Sequence, residues 1–131
     1  MHYRFQKTLM NITTATNEDQ EGDTYAIIPQ EQDNSASELP RYRIWIVVTQ
    51  TGGASSPTTD CTVQTSPDGT NFALVTSSTQ VTTATTQTEF KEVEALGAYV
   101  RAKTTLGGGT KPNHTAKVIV ACTHPFTLQA A

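Results

Sequence analysis

The chain has 131 residues, 16% of them charged, with a net charge of −3 and two cysteines. That length fits one domain, able to bury about 68–70% of the surface its unfolded chain exposes. The acidic balance argues against electrostatic capture of nucleic acid. No apolar run reaches the roughly 20 residues that a membrane-spanning helix needs.

Threonine occurs 25 times. Its branched Cβ favours strands, and its hydroxyl keeps a solvent face wet without charge. The first residues, Met1 to Lys7, lack the apolar run of a secretory signal, so synthesis in a cytosol-like compartment is expected. Cys61 and Cys122 then read as reduced, small buried hydrophobes. A bridge between them stays open if the mature protein meets an oxidising exterior.

Tyr3, Phe5 and Leu9 fall on one face of an extended segment over residues 2–14, with Arg4, Gln6 and Thr8 on the other. This predicts an edge strand, or an arm paired to a neighbouring subunit within residues 1–16. Residues 17–24 read as an acidic turn, and residues 24–28 as a short strand stopped by Pro29. Residues 30–40 are loop-like. Glu18, Asp19, Glu21, Asp23, Glu31, Asp33 and Glu38 share one window without Lys or Arg. A solvated loop is the plain reading of that window, and a docking surface for a basic partner is the other.

Residues 41–49, Arg-Tyr-Arg-Ile-Trp-Ile-Val-Val-Thr, read as a central strand buried on both faces, with Trp45 anchoring the core. A loop follows over residues 52–59. Residues 60–75 hold a strand, a turn and a second strand. Pro67 and Asp68 suit the central positions of a type I turn, and Gly69 takes the left-handed position after them. Phe72, just beyond, is expected between the sheets. Residues 79–88 are a weak strand or loop. Residues 88–97 fit either a strand through Glu89–Val93 or a short helix, with surrounding β context favouring the strand. Residues 98–105 place Tyr99, Arg101 and Lys103 opposite Ala98, Val100 and Ala102. Gly107 opens a glycine-rich loop, residues 116–122 read as a buried strand, and residues 126–129 as a strand that closes a sheet. Eight or nine short strands separated by turns predict an all-β antiparallel sandwich.

Catalytic patterns fail on inspection. His2, His114 and His124 lack metal-ligand spacing, and Cys122-x-His124 offers one pair where structural zinc wants four ligands. No Gly-x-Ser-x-Gly elbow occurs, and Gly107–Gly109 is followed by neither a P-loop lysine nor a helix. Residues 17–23 imitate the start of an EF-hand loop, but the twelfth position is Ile28 rather than a bidentate Glu. No catalytic residue, metal ligand or cofactor is assigned.

Val63 to Phe72, Val-Gln-Thr-Ser-Pro-Asp-Gly-Thr-Asn-Phe, resembles the Ser-x-Asp-Gly-Thr-x-aromatic hairpin of galactose-binding-like β-sandwiches. Residues 98–102, Ala-Tyr-Val-Arg-Ala, resemble a later strand of the same group. Capsid decoration and head-fibre proteins of tailed bacteriophages share the pattern. The resemblance spans residues 41–122 and implies a galactose-binding-like or jelly-roll sandwich. It further implies a non-enzymatic virion protein on the capsid exterior. Such a protein binds the major capsid protein as a homo-oligomer, a trimer being favoured, without nucleic acid or membrane. Tyr3, Arg4 and Phe5 are the expected contact residues. The alternative is a carbohydrate-binding module for host attachment, which needs a calcium site or exposed aromatic surfaces. Only Trp45 and the strand tyrosines could supply such surfaces.

Overall fold

The structure, a computed structural model, describes residues 3–30, 40–52, 55–93 and 96–131. The expected loop over residues 30–40 lies almost wholly outside them. Ten strands follow in order: β1 (Phe5–Thr16), β2 (Gln20–Glu21), β3 (Tyr25–Pro29), β4 (Tyr42–Thr51), β5 (Thr58–Ser66), β6 (Ala73–Ser77), β7 (Thr86–Val93), β8 (Tyr99–Gly107), β9 (Asn113–Cys122) and β10 (Phe126–Ala130). One sheet runs β1-β9-β4-β7. The other runs β10-β3-β8-β5-β6, with β2 paired to β8.

The ladders are nested. β5 pairs β6, β4 pairs β7, β3 pairs β8 and β1 pairs β9, all antiparallel. The chain is thus one long hairpin with its tip between β5 and β6, rolled so that successive pairs alternate between two facing sheets. This is the strand order of a jelly roll, so the expected antiparallel sandwich is present.

The tip is the turn that the sequence marks. Gly69 has φ of 80°, a conformation that a side chain would strain. Asp68 does more than tolerate the turn. Its Oδ1 accepts from the Thr70 and Asn71 amides at 2.8 Å each and from the Ser66 hydroxyl at 2.9 Å. Its Oδ2 accepts from the Asn71 side-chain amide at 2.7 Å. These donors hold the Asp68 carboxyl well below the usual carboxylate range, backbone amides contributing most.

The core lies between the sheets. Ile44, Ile46 and Val48 of β4 and Ala116, Val118 and Val120 of β9 come from one sheet. Cys61 and Val63 of β5 and Val100 and Ala102 of β8 come from the other. Burying an Ile or Val side chain fully stabilises by about 1.5–3 kcal/mol. The assigned faces of β8 hold, because Val100 and Ala102 are inside.

β1 departs from simple alternation. Thr8 pairs Ile119 and Met10 pairs Val118, so Leu9 is the extra residue of a bulge. Leu9 and Met10 are therefore both buried, at 2% and 7% exposure. The segment over residues 88–97 is strand rather than helix through Val93, and residues 94–95 lie outside the described set. β7 is an edge, and its inward positions include Glu89 and Lys91. Inward charges on an edge strand discourage edge-to-edge pairing.

Two expected core residues lie outside the core. Trp45 alternates with fully buried Ile44 and Ile46, so it stands on the outer face of the four-stranded sheet. Phe72 lies beneath the Arg101 guanidinium, whose Cζ is 3.7 Å from the ring centroid, rather than between the sheets. For Trp45, strand parity overrides hydrophobicity.

Polar groups occupy part of the interior. His114 is fully buried; its Nδ1 is 2.8 Å from the Thr16 carbonyl and its Nε2 is 2.8 Å from the Thr104 hydroxyl. A carbonyl only accepts, so in the neutral ring Nδ1 carries the proton and Nε2 accepts from Thr104. Gln50 accepts from the Thr59 hydroxyl at 2.6 Å and donates to the Thr83 carbonyl at 3.2 Å. Both pins bridge the two sheets. Cys61 and Cys122 are free thiols, and burial pushes the Cys61 thiol up to about 12.

Candidate recognition face

The outer face of the four-stranded sheet is built by register. Trp45 on β4 sits beside Ile119 on β9 and Phe90 on β7. One row away, Arg43 sits between Ala121 and Glu92. On the other side, Val47 sits between Lys117 and Thr88. The centre of the face is thus aromatic and aliphatic, with charge at its margins.

A stack crosses this centre. The Arg43 Cζ lies 4.3 Å from the Tyr3 ring centroid and 4.8 Å from that of Phe90. Phe90 and Trp45 have ring centroids 5.0 Å apart at an interplanar angle of 46°. Arg43 also pairs with Glu92 at 2.8 Å. A cation held by a ring gains about 0.5–1 kcal/mol at an exposed site, more when desolvated. An exposed ion pair adds about 0–1 kcal/mol. The Arg43 Nε is closed off from solvent with no hydrogen-bond acceptor among the described residues, and the two rings take that place. Phe90 remains 52% exposed, an unusual state for a large aromatic side chain.

A cleft of about 510 Å³ adjoins the stack, lined by Tyr3, Arg41, Tyr42, Glu92 and Val93. Burial, followed by the neighbouring Cys122 thiol, raises the Tyr42 phenol to about 12. It therefore keeps its proton at any physiological pH. Arg41 is exposed, and among the described residues no carboxylate lies within pairing distance of it.

The opposite outer face carries a similar cluster that is closed on itself. Arg101 donates to Gln64 Oε1 at 2.8 Å and to Glu21 Oε1 at 2.7 Å while covering Phe72. Arg101 is thus paired with a carboxylate from a distant part of the chain. The acidic turn is tied down as well. Asp19 Oδ1 accepts from the Leu106 amide at 2.8 Å, and Glu21 pairs with Arg101. Its carboxylates serve separate strand contacts rather than converging. Among the described residues no group of three His, Cys, Asp or Glu side chains is arranged to hold a metal ion.

Of the expected contact residues, Tyr3 joins the stack and Arg4 is exposed beside it. Phe5 packs partly against the core opposite Cys122. Arg41, Arg43, Phe90 and Glu92 were not assigned from sequence. The available signal is parity: residues 43 and 45 share one face of β4, and residues 90 and 92 share one face of β7. Comparison with known proteins returned nothing: no family model, curated protein or solved structure matches this chain.

Proposed function

We propose that this chain is a non-enzymatic structural protein of a tailed-phage virion. In this reading it is a decoration or head accessory protein, made in the host cytoplasm and carried on the capsid exterior. It binds the major capsid protein as a homo-oligomer, with a trimer favoured. The observation that carries the reading is a two-sheet body whose edge strand β1 begins next to an exposed Arg4 beside the outer face of the four-stranded sheet. That face is aromatic at its centre and, among the described residues, bears Arg43 and Lys117, with Arg41 at its margin, against Glu92 alone, in a chain of net charge −3. Such a surface on a stiff two-sheet body suits binding rather than chemistry. Jelly rolls build both viral shells and lectins, which adds support by analogy of fold. The shell contact is placed at the N-terminal end of β1, where Arg4 is exposed. Cosedimentation with purified phage shells tests it. Wild type pellets with the shells and Arg4→Glu pellets less. Wild type left in the supernatant would refute the reading.

A second reading, a carbohydrate-binding module for host attachment, is favoured by the cleft beside the half-exposed Phe90. The two are compatible, since one edge can hold the shell while the face looks outward.

A further inference from the structure

We infer that the cleft lined by Tyr3, Arg41, Tyr42, Glu92 and Val93, with the exposed ring of Phe90 across Arg43 from Tyr3, binds a carboxylate-bearing pyranose of a glycan. This rests on the carbohydrate reading of the face and names its ligand class. The cleft volume, about 510 Å³, falls within the roughly 300–1,000 Å³ of small-molecule sites.

Three chemistries meet there. A pyranose presents an apolar face of C–H groups, and Phe90 offers a ring 52% exposed, braced by Trp45 at 5.0 Å. Sugar hydroxyls need both donors and acceptors. The Tyr3 phenol supplies both, and Glu92 gives Oε1 to Arg43 while its other oxygen stays uncommitted among the described residues. A carboxylate needs a cation that the protein has not already neutralised. Arg43 and Arg101 are each paired within 2.8 Å. Arg41 lines the cleft with no such partner among the described residues, and a guanidinium fork matches a carboxylate in geometry. On the other face the guanidinium over the Phe72 ring is itself committed to Glu21 and Gln64. That contrast singles out the first face.

Trp45 is the only tryptophan in the chain and stands beside Phe90, so its fluorescence reports on the site. Sialyllactose and lactose differ by the acidic sugar, and titration of each, with an oligogalacturonate as a second acidic probe, makes the test. The acidic probes are expected to bind at least tenfold more tightly than lactose. Arg41→Gln should lower their affinity towards that of lactose, and Phe90→Ala should weaken every sugar that binds. Both side chains are exposed, and unchanged near-ultraviolet circular dichroism confirms that the variants fold. Equal affinity for neutral and acidic sugars, or an Arg41→Gln protein that binds like wild type, overturns the acidic-sugar inference alone. No binding across a glycan array, with shell cosedimentation intact, overturns the carbohydrate reading as well.

Discussion

Replacing His114 with Leu tests the polar pin between the sheets. The imidazole is fully buried, donates to the Thr16 carbonyl and accepts from the Thr104 hydroxyl, each at 2.8 Å. The substitution keeps the apolar volume roughly constant but strands two buried polar groups. Each costs about 1–3 kcal/mol when left unsatisfied, so a loss of about 3–4 kcal/mol is expected. That is a large share of the about 5–15 kcal/mol that stabilises a domain. Thr104→Val alone strands the His114 Nε2 and also the Gln20 amide, which now reaches the same hydroxyl at 3.2 Å. In the double variant the Thr104 hydroxyl and His114 Nε2 are both gone. Its loss should therefore fall short of the sum of the single losses by about 1–1.5 kcal/mol. Urea unfolding followed by Trp45 fluorescence measures all four proteins. Losses that simply add, within about 0.3 kcal/mol, would mean that the two side chains do not interact, and the reasoning would fail.

Acid should loosen the hairpin tip. The Asp68 carboxyl titrates lower folded than unfolded, so its stabilisation is present above the unfolded value of about 3.9 and fades as pH falls below it. Thermal melts should show Asp68→Asn below wild type at pH 7, with the gap closing below about pH 4; a gap independent of pH would contradict this. Phe90→Ala, on an exposed edge position, should change stability by less than about 1 kcal/mol in urea unfolding. A loss above about 2 kcal/mol would mean that the ring belongs to the folding core rather than to a binding face. The Cys61 thiol, raised to about 12 by burial, should resist a thiol reagent until the protein unfolds. Rapid labelling of native protein at Cys61, located by mass spectrometry, would count against the buried position.

Much of the fold was legible because local chemistry and burial agree. The Ser66–Asn71 turn carries its own donors and acceptors. β8 alternates charged and apolar residues plainly enough to assign both faces. β4 hid its parity: Ile44, Trp45, Ile46, Val47 and Val48 are all apolar, so a strand with one wet face reads as buried on both. The bulge at Leu9 left no local mark, since it exists only in the register against β9. The nested pairing depends on partners up to a whole chain apart, and no window of sequence contains it. The interior polar pairs follow the same rule. Gln50 and Thr59 are nine residues apart and Thr104 and His114 ten, yet each pair meets only once the two sheets face each other. The recognition face was missed for that reason, because Tyr3, Arg43 and Phe90 come from three distant segments.

Electron cryomicroscopy of the intact particle, with its subunits identified by mass spectrometry, tests the virion reading most directly. The expected density is a ten-stranded jelly roll on the outside of the shell, with the start of β1 against the capsid protein and Phe90 facing solvent. Particles that lack the chain, or that carry it inside the shell, would contradict it.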